Sequence, residues 1–171
     1  YDGRGQLLAH LAPERRIVVP LEAIPPHVVG AFLAVEDRRF FEHNGIDYRR
    51  VVGAAIHDLK VMRFEQGFST ITMQLARNVF PDHLTRAKTL RRKFWEIVLA
   101  SEMEREFEKE EILEMYLNQI YLGEGYYGVE AAAQGYFGKS VSQLDVAEAA
   151  MLAAIPKGPS IYNPRDNPVS A

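Results

Sequence analysis

The chain has 171 residues, of which 47% are hydrophobic, and its formal net charge is −3 at pH 7. This length predicts a single domain with a real core, and this hydrophobic content excludes a disordered chain. The negative charge gives no reason to expect a nucleic-acid partner. The lack of cysteine excludes disulfides, thiolate chemistry and cysteine-ligated zinc.

Membrane segments are not evident in the sequence. No run reaches the roughly 20 apolar residues that span a bilayer, and no signal-peptide pattern is visible. The chain begins with Tyr1 rather than methionine. We therefore expect it to be part of a longer protein, in which a membrane anchor could precede it.

The predicted elements are mostly helices. Residues 16–19 are the best strand candidate, and Pro25 and Pro26 suit the first turn of a helix. The final helix is expected to open on a capping box from Ser142 to Asp145. The fold class is therefore mainly α. Apolar spacing and breakers place the remaining helices at residues 47–64, 69–79, 89–107, 110–122, 129–137 and 142–155.

Glu36 is the first candidate catalytic residue. Val29 and Phe32 recur at helical spacing, and Glu36 falls on their apolar face. Such a carboxylate is either paired with a base, for example Arg38 or Arg39, or lies in a cleft where it acts as a general acid or base. Helix geometry alone leaves both alternatives open.

A polar stripe follows the glycine at position 67. Thr70, Gln74 and Arg77 stack on one face of the predicted helix, with Asn78 alongside. Donors near a helix N-terminus can hold an anion. The alternative is an ordinary amphipathic helix with a solvated polar face.

A basic segment covers residues 86–93 and leads into a further carboxylate. Arg92 and Glu96 are four residues apart, which allows either a silent surface ion pair or a pair of functional groups. In the functional alternative Arg92 and Lys93 bind a diphosphate and Glu96 is a second acidic residue of the site. Phe94, with Ile97 and Val98, is expected to pack inward.

Five blocks in order resemble the peptidoglycan glycosyltransferase domain, family 51, of class A penicillin-binding proteins and monofunctional glycosyltransferases. One block alone would be weak, but five in order are specific, and the resemblance covers nearly the whole chain. The blocks are EDRRFFEHNG at 36–45, GFSTITMQ at 67–74, RRKFWE at 91–96, ILEMYLN at 112–118 with YFGK at 136–139, and EAAML at 148–152 with YNP at 162–164.

The resemblance implies a lysozyme-like head lobe and a smaller jaw lobe at about 47–66, within one domain spanning 1–171. It implies polymerisation of lipid II into β-1,4-linked glycan strands, with inversion and release of undecaprenyl diphosphate. Glu36 would be the general base and Glu96 the second acidic residue. The family positions that would bind substrate are Asp37, Phe40, His43, Ser69, Thr70, Gln74, Arg77, Asn78, Arg92 and Lys93.

The implied surroundings follow from the same resemblance. The partners would be lipid II, the growing glycan strand, a transpeptidase domain in the full-length protein, and the membrane surface through residues 47–64. The place would be the extracytoplasmic face of the bacterial cell membrane. No cofactor is required by the sequence, although Glu96 could hold Mg²⁺ or Mn²⁺ instead of orienting cations. Moenomycin-type inhibitors, which mimic the donor, would bind along the helix faces that carry residues 70–77 and 92–96.

Three residues depart from the common family pattern. Phe68 replaces a small residue, Met73 replaces a glutamine and Arg77 replaces a lysine. Met73 cannot donate a hydrogen bond, and arginine keeps the charge with a different geometry. Two other functions stay open at this point. They are glycan cleavage by a lytic muramidase or transglycosylase, and non-catalytic binding of lipid II.

Overall fold

The computed structural model describes residues 14–61, 68–80, 89–159 and 162. These ranges contain seven α-helices, which confirms the mainly α class and agrees with a lysozyme-like domain. The helices are α1 (Pro26–Glu36), α2 (Tyr48–Val61), α3 (Ile71–Val79), α4 (Leu90–Glu106), α5 (Lys109–Gln119), α6 (Val129–Phe137) and α7 (Val146–Ala154).

The described strand pair is short. β1 (Arg15–Arg16) runs parallel to β2 (Tyr126–Tyr127). The strand predicted at 16–19 is therefore wrong in its extent. Val19 is fixed by a side chain, because its N–H donates to Oδ1 of Asn118 at 3.0 Å and its carbonyl accepts from Nδ2 at 2.9 Å.

The predicted capping box lies three residues too early. Asp145, and not Ser142, is the N-cap of α7, since its side chain accepts the N–H of Glu148 and the Glu148 side chain reaches back to the N–H of Asp145. Ser142 lies in a separate 3-10 turn, Val141–Gln143.

α3 is buried over most of its length. It packs against both α4 and α5, while α1 packs against α7. Every residue from 71 to 76 is buried, including the polar residues Thr72 and Gln74. Buried polar groups need hydrogen-bond partners. Thr72 donates to Oε1 of Glu104 on α4, and Gln74 donates to Glu36 at the end of α1.

α2 covers most of the segment predicted as 47–64. Asp47 caps its first turn, because Oδ1 accepts the N–H of Arg50 at 3.0 Å. Tyr48 and Val52 are exposed by 71% and 58%, so the N-terminal half of α2 lies at the surface. Residues 62–66 of the predicted jaw lobe lie outside the described residues, and the lobe stays a prediction.

The glycine-rich loop after α5 passes close to the backbone of that helix at Gly128. A Cβ there would lie 2.7 Å from the carbonyl oxygen of Asn118, and the φ angle is +83°. Both features favour glycine. Among the described helices, none combines the length and the apolar character needed to cross a bilayer.

Candidate active site

Glu36 is the last residue of α1 and is half-buried. Its Oε2 accepts a hydrogen bond from Nε2 of Gln74 at 2.6 Å, and its backbone carbonyl accepts from Nη1 of Arg50 at 2.5 Å. Arg39 binds Asp47 instead, through three hydrogen bonds of 2.7–3.0 Å. Pairing of Glu36 with Arg39 is therefore wrong.

Asp37 fixes the segment that follows Glu36. It is 1% exposed, and its Oδ2 accepts the N–H of Ile71 at 3.1 Å. Nε2 of His43 lies 3.0 Å from both carboxylate oxygens. A negative charge at the first turn of α3 is favourable. The contact between His43 and Asp37 ties down the loop that carries His43.

Three residues expected to bind substrate are buried. The exposed fractions are 1% for Asp37, 1% for Phe40 and 0% for Thr70. Thr70 is the N-cap of α3, so its hydroxyl turns back to accept the N–H of Met73 and donates to the carbonyl of Gly45 at 2.6 Å. These three residues hold the loop against α3, and their contact with substrate stays a prediction.

Glu96 on α4 is surrounded by a cluster of three cations from α3 and α4. Its side chain is completely buried, and its oxygens lie 3.0 Å from Nε of Arg92, 2.5 Å from Nζ of Lys93 and 3.7 Å from Nη1 of Arg77. The alternative of an exposed surface ion pair between Arg92 and Glu96 is therefore wrong. One carboxylate faces three cations, so the cluster keeps an excess of positive charge. A buried, charge-assisted network of this kind is suited to binding a further anion.

Lys93 is fixed by two more neighbours. Its Nζ donates to Oγ of Ser69 at 2.7 Å and lies 5.1 Å from the centre of the Phe68 ring. The second contact is a cation–π interaction. It gives a structural role to Phe68, which stands where the family commonly has a small residue. Met73 is completely buried. The missing hydrogen-bond donor at this position therefore affects packing of the core and not contact with a ligand.

The donors around Glu96 do not fit a metal that this residue would hold. Both of its oxygens lie against positively charged nitrogens, which would repel a divalent cation. The described residues also contain no group of three His, Asp or Glu that could hold an ion. The arrangement instead fits the role in which Glu96 orients the cations.

α3 joins the two carboxylates. Gln74 reaches Glu36, and Arg77, three residues later on the same helix face, reaches Glu96. Gln74 and Arg77 thus share the polar face of α3, and Thr70 is the N-cap of that helix, while anion binding by this face stays a prediction. Asn78 lies exposed at the end of the helix.

The sequence analysis missed the contacts of Arg50 and Asp47. Arg50 lies fourteen residues beyond the carbonyl that it binds. The only local signal was an aspartate immediately before a predicted helix, which is typical of an N-cap.

Comparison with known proteins agrees with this geometry. Residues 4–171 match the model of the transglycosylase family. The chain is 53% identical over its full length to penicillin-binding protein 1A of Aquifex aeolicus, covering 23% of that protein. It is 51% identical to penicillin-binding protein 1A of Escherichia coli (96% of the chain, 19% of the relative). It is 48% identical to penicillin-binding protein 1F of Bacillus subtilis (95% of the chain, 22% of the relative).

The chain thus spans only about a fifth of the length of these relatives. The family match, however, includes almost every residue of the chain, with both carboxylates and the basic residues around them. The chain belongs to the transglycosylase family.

Proposed function

We propose that the chain is a peptidoglycan glycosyltransferase domain, which polymerises lipid II into β-1,4-linked glycan strands with inversion at the donor carbon. The observation that carries the proposal is the arrangement on α3. On its polar face, Gln74 binds the half-buried carboxylate of Glu36. Arg77, about one turn later, belongs to the cation cluster around Glu96. A base beside a diphosphate site is what this reaction requires.

Glu36 acts as the general base. The attacking group is the 4-hydroxyl of the incoming sugar, which is a poor nucleophile at neutral pH. As its oxygen forms the bond to the anomeric carbon, Glu36 accepts the hydroxyl proton. Gln74 holds Oε2 at 2.6 Å, so the carboxylate is oriented before the substrate arrives. The attack occurs on the face opposite the leaving group, which gives inversion.

The cation cluster stabilises the leaving group. When the bond between the anomeric carbon and oxygen breaks, the electron pair stays with the undecaprenyl diphosphate. That group is already acidic and needs charge stabilisation more than a proton. Arg77, Arg92 and Lys93 supply it, and Glu96 holds the three side chains together. No step requires a metal held by Glu96.

The partners follow from the reaction and the relatives. The substrates are lipid II and the growing glycan strand, and both remain attached to membrane lipid. The exposed Tyr48, Arg49 and Val52 on α2 suit contact with the membrane surface. The name of the relatives supports a covalently linked transpeptidase domain in the whole protein, on the extracytoplasmic face of the bacterial membrane.

Glycan cleavage is less well supported by the same geometry. A cleaving enzyme has no diphosphate to bind, so a buried carboxylate surrounded by three cations would have no purpose there. A non-catalytic module that binds lipid II would need the cluster, but it would not need Glu36 held by a dedicated amide.

Polymerisation of labelled lipid II in detergent tests the proposal. The wild-type chain should make glycan strands, resolved by length, and Glu36→Gln should make none while still binding lipid II. Normal polymerisation by Glu36→Gln would disprove the base assignment. Degradation of preformed glycan by the wild type would favour the lytic alternative.

A further inference from the structure

Two aromatic side chains project into solvent from the first turns of α4. Phe94 is 60% exposed and Trp95 42% exposed, and their rings form an edge-on pair with centroids 5.9 Å apart. The predicted inward packing of Phe94 is therefore wrong. Side chains of this size normally lie in a core or at an interface. Adjacent exposed aromatic rings are therefore a candidate contact surface.

We propose that the N-terminal end of α4, defined by Arg91, Phe94 and Trp95, inserts into the surface of an anionic lipid bilayer. It would be a membrane contact separate from the one expected for α2. Arg91 is exposed one turn before the aromatic pair. Aromatic rings beside exposed basic groups are typical of elements that lie at the boundary between headgroups and acyl chains.

The charge distribution along α4 supports this occupant. The first half, residues 90–98, carries three basic residues and one acidic residue. The second half, residues 99–106, carries three acidic residues and one basic residue. An anionic surface attracts the first half and repels the second. The helix is therefore polarised, with its aromatic pair at the basic end.

The position of the diphosphate site points the same way, and this step rests on the proposed function. A prenyl diphosphate keeps its hydrocarbon chain in the bilayer, so its phosphates lie near the headgroups. Arg92 and Lys93, which would bind them, belong to the same helical turn as the aromatic pair. The end of α4 that reaches the diphosphate must approach the lipid surface.

Trp95 is the only tryptophan of the chain and reports its own environment. The 171-residue chain is mixed with vesicles of phosphatidylglycerol and phosphatidylethanolamine, and the emission of Trp95 is recorded. We expect a shift to shorter wavelength, and quenching by lipids brominated along the acyl chains. Vesicles of phosphatidylcholine alone should give a weaker effect, since they lack net negative charge.

A matched pair of variants distinguishes insertion of this surface from non-specific hydrophobic binding to vesicles. Phe94→Ser should lower the affinity for anionic vesicles about tenfold, because one aromatic side chain no longer enters the lipid. Phe107→Ser is the control. Phe107 is also an exposed aromatic residue, 43% exposed at the other end of α4, about 20 Å from Phe94 along the axis. Its replacement should leave vesicle affinity unchanged.

Two results would overturn the proposal: sedimentation with vesicles without a change in Trp95 emission, or no sedimentation at all. The detergent assay for polymerisation keeps this proposal apart from the proposed function. A chain that polymerises lipid II but leaves Trp95 in water refutes only the membrane contact. A chain whose Trp95 is quenched by brominated lipid but that makes no glycan retains the contact and loses the proposed function.

Discussion

Nε2 of Gln74 lies 2.6 Å from Oε2 of Glu36, and this hydrogen bond connects the buried helix α3 to the last residue of α1. Gln74 is itself only 8% exposed and belongs to a helix that is buried over six consecutive residues. The amide therefore has little freedom to move. It positions the carboxylate through a rigid element, which is how precise sites are held.

The first prediction concerns this amide. Gln74→Ala should lower kcat for lipid II polymerisation by roughly 10- to 100-fold, because the base loses its orientation. KM should change less, since the cation cluster is intact. The matched control is Gln134→Ala on α6, where a glutamine also donates to a glutamate, Glu130, at 2.6 Å. That pair is not part of the site, so kcat should stay near the wild-type value.

Equal losses in the two variants would mean that the Gln74 effect is only structural. Denaturation of both proteins in urea belongs with the kinetics, because removal of the buried Gln74 costs stability, whereas Gln134 is exposed. A fall in kcat confined to Gln74→Ala, at similar stability, would support the positioning role.

The second prediction concerns the cations around Glu96. Arg92→Ala and Lys93→Ala should each raise KM for lipid II by about tenfold or more, because a charge-assisted contact to the diphosphate is lost. Arg105→Ala is the control on the same helix. Arg105 pairs with Glu102 at 3.1 Å on the surface, and its removal should leave KM unchanged.

Binding of moenomycin provides a measurement that does not depend on turnover. Because this inhibitor carries a phosphate and mimics the donor, its affinity should fall in the Arg92→Ala, Lys93→Ala double variant and not in Arg105→Ala. Undiminished affinity in the double variant would count against these two residues as diphosphate ligands.

How far the sequence predicts the site is clear from α3 and α4. Helical spacing placed Gln74 with Arg77 and Arg92 with Glu96, and the structure shows both relationships. Spacing along one helix could not reveal burial. Glu96 has the sequence neighbours of a surface ion pair, yet it is fully buried because α3 packs over it.

Local pattern also could not separate the capping residue of a helix from a residue that contacts Glu36. Thr70 and Gln74 share a helical stripe, but the helix begins at Ile71, so the Thr70 side chain closes the first turn. The contact of Arg50 with the Glu36 carbonyl depends on how α2 meets α1. Such tertiary contacts cannot be predicted from the spacing of residues along one helix. The order and type of the helices, by contrast, follow from apolar spacing and helix breakers.

The third prediction concerns Asp47 and acid. Burial raises the pKa of this carboxyl, but the hydrogen bond from the Arg50 N–H and the Arg39 guanidinium lower it more, so the pKa lies below its ordinary value of 3.8. Asp47 thus stabilises the folded chain above that value, and the contribution is lost as the pH falls through the lowered pKa. Asp47→Asn should reduce the free energy of unfolding at pH 7 by about 1–3 kcal/mol.

Urea denaturation from pH 7 to pH 3 tests this prediction. The gap between wild type and Asp47→Asn should be constant above about pH 5 and should narrow below about pH 4. Asp145→Asn is the control, because Asp145 is also an N-cap but is exposed. A gap that does not change with pH would show that the charge of Asp47 contributes nothing.

The fourth prediction concerns Tyr116, which lies under the site on α5. The side chain is completely buried, its ring packs edge-on against Phe32, and its hydroxyl has no hydrogen-bond partner in the described structure. Burial raises the pKa of Tyr116 well above the ordinary value; the charges of Glu36 and Asp37 raise it further, while Arg77 opposes them. An unpaired buried hydroxyl costs stability.

Tyr116→Phe should therefore raise the free energy of unfolding by about 1 kcal/mol at pH 7, since the ring remains and the unpaired group is removed. Because the folded pKa is raised, the wild type loses stability as the pH rises through about 10, where the unfolded tyrosine ionises. The advantage of the variant should grow there. Denaturation in urea at pH 7 and pH 10.5 measures both effects, with Tyr121→Phe, at a 39% exposed tyrosine, as the control. A destabilised Tyr116→Phe would mean that the hydroxyl has a partner, such as a buried water.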